Sequence, residues 1–146
     1  MIDVNKAVRY GFGDALSGNI TFEGSPVPVV DDAVLLQSNT TMYVILSTQT
    51  AVETSNFAKF EHECTLILDI VHKTQYSVTK DGVDDVAQQI FDIIQPTVTT
   101  NGLTAQSGVQ FSNVEKIQDD YLSFTLSNVG PVVRRILRYR VLVHQN

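Results

Sequence analysis

Apolar residues recur at helical spacing in two stretches of the chain. In the first stretch they are Val4, Ala7, Val8, Phe12, Ala15 and Leu16. Asp3 is suited to cap the start of this helix and Gly18 to end it, so we predict a helix over about 4–17. In the second stretch they are Val83, Val86, Ala87, Ile90, Phe91 and Ile94. Pro96 would end this second helix, and acidic residues at its start suit the helix dipole.

The remaining apolar segments alternate or run continuously, as is typical of strands. We predict a short strand over 19–22. The segment 27–30 contains Pro28 and follows Pro26, and these two prolines confine it to an edge of the sheet or to non-sheet structure. Long strands follow over 41–47 and 59–73, then strands over 108–117 and 121–126 joined by a turn at 118–120, and a closing strand over 132–144. The polar stretch 48–58 is either a long mobile loop or an extended hairpin arm, and 97–107 is a loop.

The order of these elements predicts the fold class. Strands in consecutive runs, interrupted by a single internal helix, are typical of an α+β fold with a mainly antiparallel sheet. Each helix has one apolar stripe, so we expect both to pack on the same face of the sheet. The chain of 146 residues should form one domain over 1–146.

The closing strand concentrates the basic residues of the chain. Four of the five arginines lie within it, and Arg134, Arg138 and Arg140 share one face of the strand. The strand over 59–73 places Glu61, Glu63 and Asp69 on a common face. We expect these two charged faces on the side of the sheet that the helices leave open. Arg135 falls on the apolar face, and the pattern gives no reason for it.

Two interpretations of the charged face remain open. In the first, the arginines neutralise the neighbouring acidic strand within one molecule. In the second, the face is buried against another molecule, because Ile67, Val71, Ile136 and Leu142 are interleaved with the charges.

Charge and composition narrow the function further. The net charge of -6 argues against a general DNA-coating role, which needs a basic surface. The first residues lack the pattern of a signal peptide, and no apolar run reaches the length of about 18 residues needed to cross a bilayer. We therefore expect no membrane partner and a protein made in the cytoplasm.

The sequence contains few residues in patterns typical of metal binding, cofactor binding or catalysis. His62 and Cys64 share the apolar parity of their strand and His72 lies far along it, so we expect neither a metal site nor a reactive thiol. No phosphate-binding loop or cofactor motif is present. An enzyme that acts on a small acidic substrate through the arginines would need a pocket and a general acid or base. We expect no enzymatic activity and no cofactor.

As a series of elements, the sequence resembles the phage tail-completion or tail-terminator family of head-to-tail joining proteins. The resemblance covers nearly the whole chain. The segments that carry it are the opening helix 4–16, Pro26–Val30, Met42–Leu46, the polar loop with Gln49 and Thr50, Leu66–Val71, the helix 83–94 and the closing strand 134–143.

The resemblance implies a non-enzymatic structural subunit of the virion tail or neck, assembled in the host cytoplasm. It implies a ring, six-membered by analogy, that ends growth of the tail tube and contacts the tube protein and the head-to-tail connector. Local contact with DNA in the lumen is compatible with this arrangement. Gln49, Thr50 and Phe57 in the 48–58 segment become candidate contacts, and Glu61, Glu63 and Asp69 could meet Arg134, Arg138 and Arg140 of the adjacent copy. The alternative is a small cytoplasmic binding or adaptor domain, without a ring and without enzymatic activity.

Overall fold

Two helices lie where apolar periodicity predicts them. The computed structural model describes residues 3–31, 41–53, 60–74, 79–126 and 130–145. Helix α1 spans Val4–Leu16, and the Asp3 carboxylate accepts a hydrogen bond from the Lys6 backbone N–H at 3.2 Å. Helix α2 spans Asp81–Ile94, with Asp81 and Asp84 in its first turn. Neither helix has the length and apolarity to span a membrane among the residues described.

The strands form a small hairpin and one large sheet. Strands β1 (Thr21–Phe22) and β2 (Ser25–Pro26) make the hairpin. The large sheet contains β3 (Val29–Val30), β4 (Met42–Glu53), β5 (Phe60–Lys73), β6 (Val109–Leu126) and β7 (Gly130–Gln145). Its order is β3-β4-β5-β7-β6, and every pairing is antiparallel except that of β3 with β4. The predicted α+β class with a mainly antiparallel sheet is confirmed.

The edge position predicted for the proline-bearing segment is confirmed. Strand β3 lies at the end of the sheet and pairs with β4 only at Val44 and Ile45. Pro28 accepts a hydrogen bond from the Val44 backbone N–H at 2.9 Å, while its own nitrogen has no hydrogen to donate. The edge is where a missing donor does least harm to the sheet.

Strand β4 is longer than its apolar run indicates. It continues through the polar residues to Glu53, which pairs with His62 of β5 after a register shift between Thr48 and Thr50. The described part of the 48–58 segment is therefore an extended hairpin arm rather than a loop. The remainder of that segment, with the predicted contact residue Phe57, lies outside the described residues.

The prediction of separate strands over 108–117 and 121–126 is wrong. Strand β6 is continuous from Val109 to Leu126 and pairs with β7 along its whole length. Gln118-Asp119-Asp120 does not form a turn, because Asp119 is held by Arg135 of β7 and the strand accommodates its irregular part in two register shifts, at Ser112/Glu115 and Lys116/Gln118.

The core lies between the sheet and the helices, which pack on one face as predicted. Phe12 of α1 contacts Tyr139 of β7 with ring centroids 5.6 Å apart. The principal cluster combines apolar residues of both helices with those of the strands that face them, including Phe12, Leu16, Leu66, Leu68, Ile70, Ile90, Ile94, Leu137 and Tyr139. On the opposite face a small cluster of Tyr43, Val71 and Val132 is buried. The rest of that face carries the charged positions described next.

Candidate assembly surface

The face of the sheet opposite the helices, called here the open face, brings together all the charged residues predicted for it. Strands β5 and β7 are neighbours, and their register places Thr65 beside Arg140, Ile67 beside Arg138 and Val71 beside Arg134. The cations of β7 therefore lie diagonal to the carboxylates of β5. This arrangement lets ion pairs form within one molecule, and Arg134 and Arg140 each form one with a carboxylate of β5.

Arg134 and Asp69 form the contact whose carboxylate is the most buried. The Arg134 Nε donates to the Asp69 carboxylate at 3.1 Å, and its Nη2 bonds the second carboxylate oxygen, so the contact is bidentate. The hydrogen bond with Asp69 raises the pKa of the Arg134 guanidinium. Burial, followed by the Asp69 charge, also raises the pKa of the nearby Tyr43 phenol.

The contacts of Arg140 and His144 lie toward the opposite end of the strands. Arg140 approaches Glu63 of β5 at 3.8 Å and also contacts Glu115 of β6. The His144 Nδ1 lies 3.1 Å from the Glu61 carboxylate, and its Nε2 lies 2.9 Å from the Ser112 hydroxyl. Arg140 is therefore already opposed by two carboxylates, which leaves it little capacity to bind a further anion.

Arg138 differs from its neighbours on the open face. It makes no ion pair with any residue that the structure describes, and its Nε is buried without a hydrogen-bond partner there. Its cross-strand neighbours are Ile67 and Gln118, and the Gln118 amide donates instead to Asp120. Buried polar atoms in proteins are nearly always hydrogen-bonded. Arg138 is therefore the arginine of this face whose hydrogen-bonding capacity is left unsatisfied by the described residues.

The structure describes the other predicted contact residues less completely. Gln49 and Thr50 belong to β4, and Thr50 pairs with Thr65. They therefore lie in the sheet rather than in a loop. The apolar residues Ile67, Ile136 and Leu142 are only half-buried between the charges of the open face.

Arg135, unexplained by the sequence pattern, is a structural residue on the helix face. Its Nε and Nη2 donate to the two oxygens of Asp119 at 2.9 and 2.7 Å, and its Nη1 donates to Asp84 of α2 at 3.0 Å. Its guanidinium also lies over the rings of Phe91 and Tyr121, at 5.3 and 5.0 Å from their centroids. The hydrogen bond from Arg135 lowers the pKa of Asp119 to about 2. Arg135 thereby joins α2 to β6 and β7.

The thiol and the grooves do not point to catalysis on an acidic substrate. Burial raises the pKa of Cys64 to about 11, which keeps the thiol protonated. A groove of about 670 Å³ beside His72 is lined by Glu23, Asp81 and Asp85, which would repel an anion. A second groove, of about 620 Å³, includes Arg140, but it also includes both carboxylates that oppose this arginine.

An exposed apolar row on β6 was not expected from the sequence pattern. Leu122, Phe124 and Leu126 project from the open face with 45, 37 and 43 % of their surface exposed. Their alternation is visible in the sequence, but an alternating strand is normally buried on its apolar side. This row is exposed because it lies on the open face, which the helices do not cover, and because β6 is the last strand of the sheet.

The fold and this surface define a small α+β protein with helices on one face of its sheet and an open face on the other. No protein-family model and no curated protein matches the chain. Among solved structures, its fold is similar to that of a chain in the virion of a native gene transfer agent particle. The match has a TM-score of 0.60 and 12 % sequence identity, and it covers 91 % of this chain and 84 % of that chain. The similarity shows that the two chains share a fold.

Proposed function

We propose that the protein is a structural subunit of a phage-like virion, located in the tail or neck region. The proposal rests on one observation, the fold shared with a virion chain over nearly the full length of both. A shared fold alone does not define a function. The open face adds independent support: Arg138, which has no ion-pair partner among the described residues, lies there between half-buried apolar residues, as suits burial in an assembly.

Within the virion, we propose a ring at the head-proximal end of the tail tube, with six copies as the expected number. The ring would end polymerisation of the tube and join the tail to the head connector. Its partners would be further copies of itself, the tube protein and the connector protein, and its lumen would admit DNA. The role is structural and non-enzymatic, and it needs no cofactor.

Arg138 is the proposed anchor between adjacent copies. Arg134 and Arg140 already pair with carboxylates of the same chain, so bringing a neighbour's acid to them would require exchanging existing contacts. Arg138 would gain an ion pair without losing one. Buried charge pairs between molecules fix orientation and exclude wrong partners, which a closed ring requires.

Removal of the gene from a phage that encodes it tests the proposed role. We expect separate heads together with tails of abnormal and variable length, seen by electron microscopy of the lysate, and restoration of normal virions when the gene is supplied in trans. Tails of normal length joined to heads in the deletion strain would contradict the proposal.

A charge reversal tests the anchor. Arg138→Glu should keep the fold and abolish complementation, because a carboxylate would meet the carboxylate of the neighbouring copy. Lys6→Glu is the matched control, since it makes the same charge change on the exposed side of α1. Equal complementation by the two variants would refute the role of Arg138 while leaving the virion role open. A protein that remains monomeric or dimeric and is absent from purified virions would instead favour the alternative of a binding or adaptor domain.

A further inference from the structure

Strand β6 presents a free edge over its second half. It is the last strand of the sheet, with β7 paired to its inner side, and no described residue pairs with its outer side between Gln118 and Leu126. In its first half, the edge is irregular and partly covered, because two register shifts occur there and the Asn101 amide donates to the Phe111 carbonyl. The second half has no register shift and offers a regular row of backbone donors and acceptors.

The side chains of this half leave the edge unprotected. Proteins usually guard exposed edge strands with charges, prolines or bulges. Between Tyr121 and Leu126 there is no charged residue and no proline, and the exposed apolar row of Leu122, Phe124 and Leu126 lies on the open face. On the helix face, by contrast, the Tyr121 hydroxyl donates to Asp84 at 2.6 Å and Lys80 lies over its ring. The free side of the strand is therefore the edge together with the open face.

We propose that this half of β6 pairs antiparallel with the same segment of a second copy, about a two-fold axis near Ser123 and Phe124. Such an axis stands perpendicular to the sheet, so the open faces of both copies lie on one side and their apolar rows merge into one cluster. Antiparallel pairing also places Asp119 and Asp120 of each copy at opposite ends of the joint, where the like charges are far apart.

The other edge of the sheet is a poorer partner for β6. Strand β3 already occupies part of the outer side of β4, at Val44 and Ile45. Beyond that point Val52 is the large apolar side chain that β4 exposes among the residues described. Pairing of β6 with itself is the arrangement in which both partners supply an apolar row.

The size of the joint predicts its strength. A paired segment from Asp120 to Leu126, which is centred on Ser123, is about 24 Å long at 3.4 Å per residue. One strand pair of this length buries less than the roughly 1,200 Å² at which stable interfaces begin, so the dimer should be weak and concentration-dependent. This pairing is a property of the isolated chain, and it does not depend on the proposed role in a tail.

The solution mass is the first test. We expect the mass by light scattering or sedimentation to rise from 16.2 kDa toward twice that value as protein concentration increases. Phe124→Lys should weaken association at least about tenfold, because two lysines would face each other near the axis. Val98→Lys is the matched control, since Val98 is 94 % exposed and does not belong to the proposed joint. A mass independent of concentration, or equal effects of the two variants, would overturn the proposal.

Cysteine cross-linking tests the geometry. Because the single native cysteine is buried, one new surface thiol reports on its own surroundings. Under mild oxidation Ser123→Cys or Phe124→Cys should form a disulfide dimer far faster than Val98→Cys. Cross-linking of Phe124→Cys with Val52→Cys, but not with itself, would replace the proposal by pairing between the two different edges. If the experiments on phage tails contradicted the proposed ring, the interpretation of this cross-linking test would not change.

Discussion

Replacing Arg135 by alanine should destabilise the protein more than any other arginine truncation in β7. The substitution removes three hydrogen bonds, two to Asp119 and one to Asp84, and it removes the guanidinium from the rings of Phe91 and Tyr121. It also leaves the Asp119 carboxylate, 20 % exposed, without its principal partner. An ion left in a partly buried position without its counter-ion accounts for most of the loss.

The magnitude follows from the exposure of the three groups. Truncating one member of a fully buried pair costs about 3–5 kcal/mol of unfolding free energy. The Arg135 side chain is 12 % exposed, but Asp84 is 43 % exposed, so solvent screens one of the two contacts. We therefore expect a loss of about 2–4 kcal/mol, and a melting temperature lower by about 5–12 °C. Arg140→Ala is the control: its pairs are exposed and should contribute less than about 1 kcal/mol.

The effect of Arg135 should depend on pH in a defined direction. The pKa of Asp119 is lowered to about 2 from its ordinary value of 3.8, chiefly by the hydrogen bond from Arg135. A carboxyl group whose folded pKa lies below its unfolded pKa stabilises the fold above the unfolded value, and this contribution is lost as the pH falls toward the folded value. The stability difference between wild type and Arg135→Ala should therefore be constant above about pH 5 and shrink as pH falls from about 4 to about 2.

Urea denaturation followed by circular dichroism measures both expectations. A double-mutant cycle with Asp119→Ala separates the pair from the loss of stacking. Equal unfolding free energies of Arg135→Ala and Arg140→Ala at pH 7 would refute the reasoning. So would a difference that does not change with pH, because the ionised carboxylate would then not be the source.

Three further predictions concern the core and its connections. Gly102→Ala should cost more than about 2 kcal/mol of unfolding free energy, because its Cβ would lie 1.8 Å from the Ile93 carbonyl oxygen. Gly18→Ala meets no atom within 4 Å and should cost only the roughly 1 kcal/mol of its left-handed backbone. Phe12→Ala should cost about 3–5 kcal/mol by the same urea assay, because Phe12 is fully buried; a loss below about 1 kcal/mol would mean that α1 does not pack on the sheet. Cys64 should react with a thiol reagent at pH 8 only in denaturant, since burial raises its pKa to about 11; rapid labelling of the native protein would contradict that burial.

Local patterns were sufficient to predict the helices and the faces of the strands. The apolar stripes of α1 and α2 predict the helices to within a residue or two at their ends. The period of two along β5 and β7 correctly separates the residues that face the helices from those on the open face. Both patterns depend only on backbone geometry and on burial of one side, which are properties of a single element.

Pairing between strands determines the secondary structure of two segments that local patterns did not predict. Gln118-Asp119-Asp120 has the composition of a turn, but Arg135 binds Asp119 across the strand pair and the chain continues as β6. The polar residues after Ser47 have no alternation that would predict a strand. They form one because β5 supplies a partner along their whole length as far as Glu53.

The sequence by itself determined that one face of this sheet is apolar and the other charged, because side chains alternate on any strand regardless of its neighbours. The tertiary structure alone decided which charges are available. The register of β5, β6 and β7 pairs Arg134 and Arg140 within the chain, leaves Arg138 without a partner among the described residues, and assigns Arg135 to the helix interface. Register depends on contacts between strands far apart in sequence, and the position of β6 at the edge depends on the order of all five strands. At that edge no described strand lies beside the outer side of β6, and its apolar row on the open face is exposed.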